Sequence, residues 1–134
     1  MYPLYFLYDM LPVLILRIAL GAIFIVHGWK KMRDLKQNAK NFEAMGFRPG
    51  KLFGTAAALL EFVGGILLLF GLFTTSIAAL FILEFAVILI WRWVKRMPFV
   101  GGWELDLLIL ASVIALFSLG AGAYSLDRMI FGIL

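Results

Sequence analysis

Three ionisable residues interrupt long apolar runs, where a charge is expensive. Arg17 stands in LPVLILRIALGAIFIVHGW, Glu61 in LFGTAAALLEFVGGILLLFGL and Glu84 in TSIAALFILEFAVILIWRWV. An isolated charge at the centre of a bilayer costs on the order of 2.5–3.5 kcal/mol even on the lenient insertion scale, so each should face other helices and find a partner. Such groups do one of two things: they fix helix register as a buried ion pair, or they line a pocket that binds a polar ligand or exchanges protons. Two more candidates lie nearer one end of the runs. Glu104 heads a face with Leu108, Ala111, Ala115 and Ser118, while Asp106 points to the other side. His27, the single histidine, sits beside Gly28-Trp29. It reads first as a polar cap at an interface, although its ring could meet Glu104.

Helical spacing gives two of these residues a neighbourhood. Gly21, Phe24 and Gly28 fall on the face of Arg17, and Gly54, Ala58 and Gly65 on the face of Glu61. Small residues let helices approach closely inside a membrane, so these faces should pack on each other, with an Arg17–Glu61 ion pair as the consequence. Counting about 1.5 Å per residue from the ends of the runs puts Arg17, Glu61 and Glu84 at a similar depth. Glu84 shares its face with Leu80, Phe81, Ile88 and Trp91, and no small-residue stripe names its partner helix. It pairs with Arg17, stays protonated or lies at a subunit contact.

The elements that must position these residues follow from composition. A chain of 134 residues that is 64% hydrophobic and 15% charged cannot give a soluble domain a wet exterior. Four spans of about 20 residues fill most of it as one transmembrane domain over residues 1–134, with spans near 11–29, 52–72, 75–94 and 102–120. The fold class is an all-α four-helix membrane bundle. The aromatic stretch before Leu11 extends the first helix or lies in the interface, with Pro12 permitted only near a helix start. Between the first two spans, Met32, Leu35, Ala39 and Phe42 recur at helical spacing and Gly46 offers a stop, which predicts a short amphipathic helix.

There are no cysteines, so disulfides, thiolate chemistry and Cys-ligated clusters are excluded. One histidine cannot hold a bis-His haem, and no residues show metal-ligand spacing. The tryptophans Trp29, Trp91, Trp93 and Trp103 fall at span boundaries as an aromatic belt. The basic residues flanking the spans report topology, not nucleic-acid binding.

The segments LRIALGAIFIVHGWKKM, EFVGGILLLFGLFTTSIAAL, GGWELDLLIL and GAGAYSLDR, in this order, resemble the DoxX family across nearly the whole chain. Glu84 and the basic Trp29-Lys30-Lys31 ending depart from the usual pattern. The resemblance implies a four-helix membrane bundle. For some relatives it also implies a membrane subunit of a thiosulfate:quinone oxidoreductase, or a partner in a complex handling oxidative and thiol stress. With no covalently bound cofactor, this chain would contribute a quinone pocket at most, formed by Arg17, His27, Glu61 and Glu104 amid aromatic walls, with Glu84 as an addition. Redox partner subunits and a homodimer are the expected associations. The alternatives are a scaffold docking partners on its basic face and, less favoured, a small-solute carrier.

Orientation in the cell membrane follows from the basic residues. Lys30, Lys31, Arg33, Lys36, Lys40, Arg48 and Lys51, with Arg92, Lys95 and Arg96, flank the spans on one side, against Arg128 on the other. The positive-inside rule then places both termini outside the cytoplasm. Fusing a reporter that is active only in the cytoplasm to the C-terminus should give a silent fusion, and a fusion within residues 30–51 an active one; the reverse result inverts the topology.

Overall fold

The computed structural model describes residues 4–132, with side chains from Met10 onward. Six α-helices make up most of it: α1 Leu4–Met32, α2 Leu35–Ala44, α3 Gly50–Phe70, α4 Thr74–Val94, α5 Glu104–Leu119 and α6 Leu126–Phe131. Four segments are long and apolar enough to cross a membrane: Met10–Met32, Gly50–Phe70, Thr74–Val94 and Phe99–Leu119. They match the four spans read from hydropathy. One end of the bundle carries α2 and the α4–α5 connection, and is called the basic end below. The other, terminal end carries the start of α1, the α3–α4 turn and α6.

α1 does not begin near Pro12. It runs through that residue from Leu4, which answers the question of where the first helix starts; Tyr2 lies outside the described residues. The expectation that Pro12 marks a helix start is corrected: the residue lies more than two turns inside α1, where it removes one amide donor from the helical ladder.

Helices α1 and α3 form the tightest pair because glycine lets their backbones touch. A Cβ added at Gly21 would sit 2.9 Å from the Gly65 carbonyl oxygen, and one at Gly65 would sit 2.8 Å from the Ile25 amide nitrogen. At Gly28 it would run into the backbone of Phe62. Beside this seam, the core is built by Leu20 and Phe24 of α1, Leu68 of α3, Phe81 and Phe85 of α4, and Val113 and Leu116 of α5. Phe24 stacks on Phe81 with ring centroids 3.7 Å apart.

The amphipathic helix between the first two spans is α2. Asp34 caps its start by accepting the Gln37 amide at 3.0 Å, and Gly46, at φ +96°, turns the chain away after its end. Its inner face differs in detail from the expectation: Ala39 and Phe42 pack near Gly54, but Leu35 is exposed and a polar residue, Asn38, is buried. The Asn38 amide donates to the Gly54 carbonyl at 2.7 Å, using an acceptor that a side chain at position 54 would screen. Trp91 ties α4 to the end of α2 by donating its indole N–H to the Met45 carbonyl at 2.8 Å.

The entry to α5 is a wide turn over Phe99–Trp103, with Val100 extended and Gly101 left-handed at φ +73°. The turn fixes the rotation of α5 relative to its own sequence, with consequences for Glu104 and Asp106 described below.

Gly28→Ala should destabilise the detergent-extracted protein by about 3 kcal/mol or slightly more, the upper end of overpacking, because the added methyl meets backbone that cannot step aside. Gly102→Ala, where the methyl meets its nearest atom at 3.5 Å, should change stability by less than about 0.5 kcal/mol. Thermal melts of the two variants check the contrast.

Candidate functional site

The seam that places Gly21 beside Gly65 and Leu69, and Gly28 beside Glu61 and Phe62, fixes which charges can meet. With α1 and α3 antiparallel, Arg17 falls opposite the last turn of α3 and Glu61 opposite Gly28. The two charged faces do pack on each other. The Arg17–Glu61 pair does not form, because the residues are offset along the helix axes by roughly 16 Å, the rise from Arg17 to Gly28.

Arg17 is 1% exposed and bonds entirely to backbone carbonyls. Its Nε donates to Leu68 at 3.0 Å and Nη2 to Leu69 at 3.1 Å, while Nη1 donates to Ala121 and Tyr124, both at 2.8 Å. Leu68 and Leu69 lie in the last turn of α3, where the helix dipole favours a cation; the Leu68 carbonyl also accepts the Gly71 amide at 3.1 Å. Ala121 and Tyr124 belong to the loop that folds back after α5. The planar guanidinium therefore staples two chain segments together at the terminal end. Gly71 lets it in: at φ +70° it caps α3, and a Cβ there would lie 2.7 Å from Arg17 Cζ.

Asp127 is the counterpart that residue reasoning did not find. It is buried and accepts the Phe73 amide at 2.7 Å and the Thr74 amide at 2.9 Å, capping the start of α4. Its own amide donates to the Gly71 carbonyl at 2.9 Å. The SLDR segment was visible in the sequence only as part of a family resemblance, since nothing in its spacing shows that it reaches back to the α3–α4 turn.

The remaining charges gather at the basic end. Glu61, 3% exposed, accepts a hydrogen bond from Lys31 at 2.6 Å through Oε1, while its Oε2 has no donor among the described residues. Lys31 was read as a topology-setting residue; its long stem instead carries the ammonium back into the bundle. The Glu84 carboxyl meets that of Glu61. Both Glu84 oxygens are buried and lack a donor among the described residues. This places Glu84 with Glu61 and not with Arg17. Asp106 of α5 pairs with Arg92 of α4 at 2.7 Å.

Two expectations for this end are corrected. Glu104 is exposed and accepts the Gly101 amide at 3.1 Å, so it closes the turn before α5 and does not face inward. Asp106, expected to point away, is the residue of α5 that pairs across the α4–α5 seam, because the Phe99–Trp103 turn sets the rotation of the helix. His27 does not meet Glu104. Its ring is exposed and Nδ1 lies 2.7 Å from the Ile23 carbonyl, the local contact of a polar cap.

Arg17, His27, Glu61 and Glu104 thus do not line one cavity. Surface clefts among the described residues include two lined mainly by apolar side chains. One, of about 250 Å³, opens between α4 and α5 and is walled by Leu89, Ile90, Trp93, Trp103 and Leu107. The other runs along the start of α3 from Pro49 to Leu59. Neither touches the buried charges directly.

A bundle of four apolar helices, closed at one end by a guanidinium staple and holding paired charges at the other, defines a small multi-pass membrane protein. The family model described as DoxX matches residues 12–94, and the chain belongs to the DoxX family. Among curated relatives it is 34% identical over 118 residues to the "Putative oxidoreductase CatD" of Bacillus subtilis (strain 168), covering 88% of this chain and 86% of that one. It is 35% identical over 123 residues to the "Inner membrane protein YqjF" of Escherichia coli (strain K12), covering 88% and 91%. No solved structure matches.

Double-mutant cycles should separate the two ends of the bundle. Losses from Arg17→Leu and Glu61→Leu should add, whereas Lys31→Met and Glu61→Gln should be non-additive, with a coupling of about 0.5–3 kcal/mol. Arg17→Leu alone should be the most damaging, since a buried carbonyl that loses its donor costs about 1–3 kcal/mol and, of the four carbonyls Arg17 engages, Leu68 keeps the Gly71 amide. Thermal stability in one detergent measures all of these; coupling between Arg17 and Glu61 would restore the rejected pair.

Proposed function

We propose that this chain is the quinone-facing membrane subunit of an oxidoreductase, lying in the cell membrane with both termini outside. The cleft between α4 and α5 carries the reading. Its walls are apolar and include two indole rings, it opens on the lipid-facing side from which a quinone would arrive, and its size admits a single ring. The Arg92–Asp106 pair joins the same two helices one residue away from Trp93 and Leu107, so a guanidinium donor and a carboxylate stand at the level of the cleft. A quinone head group needs such neighbours: donors for its carbonyl oxygens and a group that exchanges protons as it is reduced. The name of the Bacillus subtilis relative, a putative oxidoreductase, agrees with this reading. Having no cysteine, the chain would receive electrons from a partner subunit.

A scaffold role is the second reading, favoured by the fully engaged Arg17 and by the exposed Lys36, Lys40, Lys51, Lys95 and Arg96 at the basic end, which would attract an acidic partner surface. Titrating a short-chain quinone against the purified protein distinguishes the two. A ligand that binds only the folded state stabilises by about 2.7 kcal/mol at a hundredfold excess over Kd. The wild type should therefore melt several degrees higher with quinone, and Trp103→Ala should lose the response. No shift in the wild type would leave the scaffold reading in place.

A further inference from the structure

Glu61 and Glu84 meet inside the bundle, and the geometry of their partners is unbalanced. Lys31 satisfies one oxygen, Glu61 Oε1. Glu61 Oε2 and both oxygens of Glu84 are buried without a donor among the described residues, although the two carboxyls are in contact. Two carboxylates present only acceptors to each other, so neither can complete a hydrogen bond for the other. A single proton between them changes that: the protonated group becomes a donor and its neighbour the acceptor of a short, charge-assisted bond. It also balances charge, because Lys31 then faces one carboxylate in a site where an unpaired charge is costly.

We propose that Glu61 and Glu84 together hold one exchangeable proton within the membrane, loaded and released toward the basic end of the bundle. Loading takes a proton from hydronium in the water there, breaking one O–H bond and leaving a water molecule, forms one O–H bond on a carboxylate oxygen and brings the Lys31–Glu61–Glu84 cluster from one negative charge to neutrality. Release reverses the step. The route is set by Lys31, whose side chain is 28% exposed at the basic end while its ammonium touches Glu61. Toward the terminal end the way is filled by Phe24, Phe81 and Leu68, all buried.

The charged groups around the site come from each helix that packs on it. α1 brings Lys31 and His27, α3 Glu61, α4 Glu84 and Arg92, and α5 Asp106. Lys31 lies close enough to influence both Glu84 and Asp106, and His27 to influence Asp106. Arg92 is engaged by Asp106. Phe42 of α2 contributes only a ring face, 5.8 Å from the Lys31 ammonium. Within this set Lys31 is the cation in contact with the carboxyl pair.

Infrared spectroscopy of the full chain in lipid nanodiscs, without quinone, tests the site separately from the proposed redox role. At neutral pH the wild type should show the carbonyl stretch of a protonated carboxylic acid, shifted on transfer to heavy water and fading as pH rises. Because the proton is shared, the band should vanish in both Glu84→Gln and Glu61→Gln: the remaining carboxylate then pairs with Lys31 and accepts from the glutamine amide. A wild type without the band, a band that does not shift in heavy water, or one that survives in either variant would overturn the proposal. Should either variant fail to fold, the pH titration and isotope shift of the wild-type band decide alone.

Discussion

The backbone contact between α1 and α3 is the constraint from which the rest of the interior follows. Apolar side chains gain little by leaving lipid for one another, so membrane helices settle where close packing and polar contacts are best. Gly21, Gly28 and Gly65 allow an approach that any larger residue would block. This contact sets distance and also axial register, since the glycines interlock at particular heights. The polar partners of Arg17 and Glu61 follow from that register. Arg17 receives the carbonyls at the end of α3, and Glu61 receives the ammonium that reaches in from the end of α1.

At the terminal end, charge serves architecture. Arg17 spends its donors on the carbonyls of two separate segments, and Asp127 spends both oxygens on the amides that open α4. Each charge faces the helix terminus of opposite partial charge, so both are stabilised without forming a direct salt bridge. A short loop and the six-residue α6 are thereby locked over the bundle. An arginine within an apolar span serves, in this protein, as the donor for the carbonyls at which another helix ends.

The sequence made helices, spans and packed faces legible, but left pairings out of reach. Hydropathy counts residues along a helix, and the small-residue stripes of α1 and α3 choose their faces, in agreement with the structure; the stripe of Ala111, Ala115 and Ser118 behind Glu104 does not, since that face of α5 is mostly exposed. Neither supplies the relative height of two helices, which is why Arg17 and Glu61 share a seam without meeting. For α5 the difficulty was rotation: the helix is apolar nearly all round, so Glu104 and Asp106 offered no phase until the turn at Gly101 was seen. Lys31 held a usable signal. It stands three residues after Gly28, on the edge of the glycine face, and a lysine there can reach back to a carboxylate about one turn deeper. Reading it only as a topology signal hid the partner of Glu61.

The two ends also differ in how much polar capacity they leave unused. Arg17 and Asp127 have their bonds completed by backbone, and moving a proton there would break contacts that hold α3, α4 and α6 together. At the basic end, Glu61, Glu84 and Asp106 face the cations Lys31 and Arg92, leaving carboxyl oxygens that backbone does not satisfy. Asp127 has its amides held in place by a turn, whereas the proposed proton completes the Glu61–Glu84 contact and is able to come and go. A change of protonation therefore disturbs fewest backbone contacts at the basic end, while at the terminal end the same change would release the staple that joins α3 to the loop after α5.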